Sequence, residues 1–151
     1  EHGYTYQEAL PIVKEKLALV NLSENILEKY PSEISGGMRK RVGLARTLVT
    51  NPSIILYDEP TTGLDPITSK IVHELMVDMQ KKLNVTSLVI SHDIEIFNYV
   101  DYIALLHGGQ IKYFGPAKTI WESDNEYIYQ FIRGLAHGPI ETELAYKNKI
   151  I

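Results

Sequence analysis

The residues best suited to chemistry close a short apolar run, Ile54-Ile55-Leu56-Tyr57, which stops at Asp58-Glu59-Pro60. An ionised carboxylate buried without a partner is costly, so both acids must face a cation, a hydrogen-bond donor or water. Asp58, at the end of the run, can serve a hard cation such as Mg²⁺ through water, because that ion keeps part of its hydration shell and prefers oxygen. Glu59, one residue further out, can accept a hydrogen bond from an attacking water. In phosphoryl transfer the protein mainly positions the nucleophile and neutralises charge, so a fixed acceptor is sufficient. The same two acids can instead cap a helix or pair with surface Lys or Arg, and the dipeptide alone does not separate these uses.

Two further positions join them as candidates. A second apolar run, Ser87-Leu88-Val89-Ile90, stops at Ser91-His92-Asp93. His92 there is either a charge-handling imidazole or a structural histidine beside a helix-capping Asp93. Ser35-Gly36-Gly37 precedes a helical pattern; the free first-turn N–H groups and the helix dipole make such a turn an anion site, and glycine permits close approach. Ser-Gly-Gly is more often simply an ordinary helix entrance. Arg39, Lys40, Arg41 and Arg46 follow, as a solvated basic face or as a source of positive potential for an anion. His2, His73, His92, His107 and His137 are dispersed, with no paired ligand spacing, so metal ligation by histidine is not indicated.

The elements that must position these groups follow from periodicity. Thr5 and Glu8 have capping-box spacing, and Tyr6, Leu10, Val13, Leu17 and Val20 recur as a helical stripe, with Pro11 placing the true start later. A second helix opens at Ser35 and carries Met38, Val42, Ala45, Leu48 and Val49 on one face, ending at Asn51-Pro52. The run at 54–57 is unalternating, the pattern of a strand buried on both faces of a parallel sheet. Pro66 starts a third helix with Ile67, Ile71, Leu75, Met79 and Leu83 in register, and the run at 87–90 is a second such strand. A short helix over 94–99, a hairpin folded at His107-Gly108-Gly109, and helical text from about Pro116 and from about Asn125 to Gly134 complete the pattern. From His137 to Ile151 the text is polar and without period, an extended tail. Strand and helix alternating, with polar residues at strand ends, is an α/β reading, and such sheets bind ligands beyond the carboxyl ends of their strands.

Composition narrows the function. The chain has 151 residues, long enough to bury a core without disulfides or structural metal. With no cysteine, thiol catalysis and cysteine zinc sites are excluded. Fifteen basic against 19 acidic residues leave a net charge of −4, which argues against nucleic acid as a partner. No apolar run approaches the roughly 18 residues of a membrane span, and Glu1-His2-Gly3-Tyr4 is no signal peptide, so the expectation is an intracellular protein.

Taken in order, these segments resemble the C-terminal part of an ABC-type ATPase over residues from about Thr5 to Gly134. The signature sequence of that family corresponds to Ile34-Ser35-Gly36-Gly37-Met38. Its strand ending in Asp-Glu-Pro corresponds to Ile54 to Pro60, its D-loop to Thr62-Gly63-Leu64-Asp65, and its switch histidine to His92. Ile34 stands where Leu is usual, and Met38 where Gln is usual, so contacts made by a Gln side chain are lost. The run from Ser35 to Arg41, the segment Asp65-Pro66-Ile67-Thr68-Ser69, and Phe131-Ile132-Arg133-Gly134 with His137-Gly138-Pro139 resemble the Mla/Mkl type, which powers phospholipid or other lipid transport.

The resemblance implies the C-terminal part of a P-loop NTPase core, about 52–134, joined to part of a helical subdomain, about 5–50, with a tail over 135–151. It implies ATP and Mg²⁺ as cofactors. Ser35, Gly36 and Gly37 would contact the γ-phosphate held by an opposing subunit, Asp58 would support Mg²⁺, Glu59 would orient the attacking water, Asp65 would shape the dimer-spanning loop, and His92 would contact γ-phosphate. Implied partners are a second ATPase subunit in a homodimer and an integral-membrane permease with an MCE-domain protein, at the cytoplasmic face of the membrane. None of the ten glycines is followed by lysine, so the phosphate loop G-x-x-x-x-G-K-[ST] is missing from these residues. Together with a first residue other than Met, that reads as a fragment whose isolated form is inactive. Two other readings stay open: the C-terminal lobe of an SMC-type DNA-maintenance ATPase, although 1–32 lacks the heptads of a coiled coil, and a non-catalytic module presenting a signature face.

Overall fold

The computed structural model describes residues 3–141, in two compact units that divide between Asp93 and Ile94. The first unit opens with α1, Tyr6–Leu19. Thr5 and Glu8 close a reciprocal capping box that fixes the helix start at Tyr6, and the helix continues through Pro11. The sequence placed the start later. One forfeited backbone bond at Pro11 is outweighed by the cap and by burial of Leu17 and Val20. α2, Gly36–Leu48, is capped by Ser35 and packs on α1 with Ala45 and Leu48 buried.

β1, Ile54–Asp58, α3, Pro66–Leu83, and β2, Thr86–Ile90, form one βαβ unit with a parallel register from Ile54↔Thr86 to Asp58↔Ile90. The parallel α/β reading holds. The expectation of strands buried on both faces does not: Ile55 and Tyr57 are buried, whereas Ile54, Leu56, Leu88 and Ile90 are between 58% and 71% exposed. The strand text is apolar on both faces, but the described residues cover only one of them. α3 also departs from its expected stripe. Ile67 and Ile71 are exposed, and the buried face is Val72, His73, Leu75, Met76 and Met79, because the helix lies on one side of a two-stranded sheet.

The second unit is built on β3, Tyr102–His107, and β4, Gln110–Pro116, an antiparallel pair turned at Gly108 and Gly109, both at positive φ. A short 3-10 segment, Ala117–Glu122, and α4, Glu126–Arg133, cover one face. Ile103, Leu105, Ile120, Ile128 and Ile132 make the core there. Asn125 caps α4 through the N–H groups of Tyr127 and Ile128, and Gly134 ends it in the left-handed region. The first residues of the expected tail are tied back: Gln130 accepts from the Ile140 N–H at 2.7 Å and donates to its carbonyl at 3.1 Å. The remainder of that tail, 142–151, lies outside the described residues. Among the described residues no helix is long and apolar enough to cross a membrane.

Candidate active site

Parallel pairing decides which groups meet. With Asp58 opposite Ile90, the residues that follow each strand leave the sheet at the same edge, and the Glu59 N–H donates to the Ile90 carbonyl at 2.9 Å. His92 Nδ1 then lies 2.9 Å from each Glu59 carboxylate oxygen, across 33 residues of sequence. Thr62 Oγ1 donates to Glu59 Oε2 at 2.8 Å. Glu59 itself sits in the left-handed region at φ 47, uncommon for a residue with a side chain. The hydrogen bonds from His92 and then Thr62 hold the Glu59 carboxyl below its ordinary value of 4.5, and the bond to Glu59 and its charge raise His92 above 6.5. An ionised carboxylate offers about four lone-pair sites, so two donors leave room for a water.

Asp58 ends β1 with an exposed side chain. Among the described residues no group of three or more His, Cys, Asp or Glu side chains is arranged to hold a metal ion. One carboxylate therefore suits Mg²⁺ only where water and phosphate oxygens complete the shell, which is the usual habit of that ion. A cleft of about 170 Å³ beside Asp58, lined by Lys40, Leu44, Tyr57 and Met76 among others, is too small to enclose a nucleotide.

The Ser35-Gly36-Gly37 turn starts α2 as expected, with the Ser35 hydroxyl accepting from the Met38 N–H at 3.2 Å. The capping use is therefore realised, and the Gly36 and Gly37 N–H groups lie in the unpaired first turn. A Cβ on Gly36 would stand 3.6 Å from a Leu64 methyl, so this turn abuts the segment leading to Asp65. Asp65 caps α3, accepting from the Ile67 and Thr68 N–H groups at 3.0 Å each and from the Thr68 hydroxyl. Those bonds, the Thr68 hydroxyl first, lower its carboxyl from the usual 3.8.

The basic residues of α2 lie on a largely exposed face, and three of them also reach backbone carbonyls. Arg39 donates to the Ile34 carbonyl at 2.6 Å, Lys40 to the Glu59 carbonyl at 3.1 Å, and Arg41 to the Asn21 carbonyl at 2.9 Å. Sequence reasoning passed over Thr62 as a partner of Glu59 and Lys40 as a partner of its backbone. It also passed over buried His73, whose Nε2 lies 4.0 Å from Asp93. No local pattern marks contacts of this kind, which join separate elements. All the candidate positions, Ser35, Gly36, Gly37, Asp58, Glu59, Asp65 and His92, fall in the first unit.

The chain is similar to several known proteins. A family model described as ABC transporter matches residues 5–62. The "Probable ribonucleotide transport ATP-binding protein mkl" of Mycobacterium tuberculosis is 44% identical over 134 residues, covering 88% of this chain and 37% of that protein. The intermembrane phospholipid transport system ATP-binding protein MlaF of Haemophilus influenzae is 35% identical over 130 residues, covering 85% of this chain and 49% of that protein. A solved dimeric ATP-binding cassette in a post-hydrolysis state with ADP and Pi superposes with a TM-score of 0.66 at 29% identity, over 78% of this chain and 50% of that one. The chain thus spans less than half the length of the two curated relatives.

Proposed function

Because the chain belongs to the ABC ATPases, of the Mla/Mkl type, we propose that it is the water-activating and signature-bearing part of an ATP-hydrolysing transport subunit. The observation that carries this reading is the Glu59–His92 pair at 2.9 Å, held at the exit of two parallel strands. Glu59 accepts a hydrogen bond from the attacking water and fixes its line of approach. His92 gives its Nδ1–H to Glu59, so its Nε2 is left for a phosphate oxygen. That nitrogen donates only when the imidazole is protonated, and Glu59 favours the protonated form. Asp58 supports Mg²⁺ through water; when bound, the ion neutralises charge on the phosphates.

The nucleotide itself is gripped by a phosphate-loop segment that these 151 residues lack. The bare apolar face of β1 and β2 supports that division, since Ile54, Leu56, Leu88 and Ile90 are an unsuitable surface to leave in water. Ser35, Gly36 and Gly37 face the γ-phosphate held by a second copy in a homodimer, and Asp65 shapes the loop between copies. The assembly works with an integral-membrane permease and an MCE-domain protein at the cytoplasmic membrane face, and its cargo is lipid. The phospholipid transport system for which MlaF is named and the Mla/Mkl-like segments support the cargo, while mkl is named for ribonucleotides.

The test is steady-state hydrolysis by a subunit carrying this chain and a phosphate loop. Glu59→Gln is expected to lower kcat by about 10²- to 10⁴-fold while ATP-driven association persists. Turnover close to wild type would remove Glu59 from its role.

A further inference from the structure

We infer that Lys40 is a positioning residue for Glu59. Lys40 lies on α2, in the second turn after Ser35, and its amine reaches across to donate to the Glu59 carbonyl at 3.1 Å. That carbonyl has one other donor, the Thr62 N–H at 3.3 Å, a long bond. The peptide before Glu59 is held by its own N–H on the Ile90 carbonyl at 2.9 Å. Glu59 therefore sits in a left-handed backbone conformation that an L residue adopts only when its surroundings impose it, and the imposing contacts come from β2 on one side and α2 on the other.

The consequence reaches the carboxylate. With its φ at 47, Glu59 aims its side chain at Thr62 and His92, at 2.8 and 2.9 Å. A residue released to the ordinary negative-φ regions would swing the carboxylate away from both. Lys40 bonds the Glu59 carbonyl and not its carboxylate, so it acts through the backbone. Its neighbours Arg39 and Arg41 bond other carbonyls and leave Lys40 as the side chain of α2 that holds Glu59. One helix thus carries both the Ser35-Gly36-Gly37 turn and the amine that fixes Glu59.

The structural part of this inference stands without the hydrolytic reading; the catalytic consequence rests on it, and the two are measured separately. Amide hydrogen exchange by NMR on the full chain compares wild type with Lys40→Met and Lys40→Arg. In Lys40→Met the Glu59 amide should exchange about five- to ten-fold faster, the loss of one hydrogen bond, while the buried α3 amides of Leu75 and Met79 keep their rates. Lys40→Arg, which keeps a donor at that reach, should restore Glu59. Unchanged Glu59 exchange in folded Lys40→Met would overturn the inference, as would equal acceleration at Leu75 and Met79 or failure of Arg to rescue. In the subunit completed by a phosphate loop, Lys40→Met should lower kcat about ten-fold with KM for ATP unchanged, and an unchanged kcat would remove the catalytic consequence. Absence of hydrolysis in wild type would count against the ATPase reading alone, because the exchange result does not depend on it.

Discussion

A Cβ placed on Gly37 would fall 2.6 Å from the Thr68 methyl carbon, closer than side chains tolerate. Thr68 cannot turn aside freely, because its hydroxyl is bonded to the Asp65 carboxylate and its β-branched side chain is stiff at χ1. Gly37 is therefore needed for the approach of α2 to α3, whatever ligand its N–H meets. Gly37→Ala should cost about 1–3 kcal/mol by overpacking, partly offset by the better helix propensity of alanine. Adding Thr68→Ser removes the offending methyl and keeps the hydroxyl, so the double variant should regain most of the loss in urea unfolding.

The Glu59–His92 pair predicts a stability window. Glu59 is lowered in the fold, so its share is present above 4.5 and is lost as pH falls through the lower folded value. His92 is raised, so its share is complete below 6.5 and is lost as pH rises through the higher folded value. The advantage of wild type over Glu59→Gln should therefore be greatest between pH 4.5 and 6.5 and decline on both sides, read as urea midpoints across pH. An NMR titration should also find the His92 midpoint above 6.5 in wild type and moved back toward it in Glu59→Gln, with Asp93 holding a small remainder.

Elements whose cause is local were legible in the sequence. The Thr5–Glu8 box, the helix start at Pro66, the helix beginning near Asn125, the paired glycines at 108 and 109 and the stop at Gly134 each act within a few residues, and the structure realises each one. The strand ends were legible as chemistry because polar residues interrupt apolar text there. Their pairing was not: nothing local joins Glu59 to His92, and only the parallel register brings them together. Burial was read least well. Ile54 and Ile67 are as apolar as Ile55, and which of them meets a neighbour depends on residues outside their own period. The basic run after Gly37 was legible as an exposed face, but not its carbonyl partners, because other segments of the chain supply the acceptors.

In the second unit, Asn125 links α4 to β4. Its side-chain oxygen accepts from the Tyr127 and Ile128 N–H groups at 3.0 and 3.2 Å, and its amide donates to the Lys112 carbonyl at 3.1 Å. Asn125→Ala should cost about 1–2 kcal/mol through the lost cap. Asn125→Asp preserves the cap but not the donor to Lys112, so it should fall between wild type and alanine in thermal unfolding. Equal melting of all three proteins would deny the cap any weight.

Nucleotide binding should separate the two halves of the proposed hydrolytic machinery. The first-turn N–H groups of α2 and the imidazole of His92 can each meet a phosphate oxygen, but neither encloses the triphosphate, and the cleft beside Asp58 is only about 170 Å³. A phosphate loop would add several backbone N–H donors and a lysine converging on the same phosphates. The 151-residue chain should therefore bind ATP-Mg²⁺ weakly, with a Kd in the millimolar range or above, equivalent to about −4 kcal/mol or less in magnitude. Isothermal titration with ATP-Mg²⁺ measures this directly. Micromolar affinity would mean that these residues grip nucleotide by themselves, and the division of labour proposed for the chain would fail.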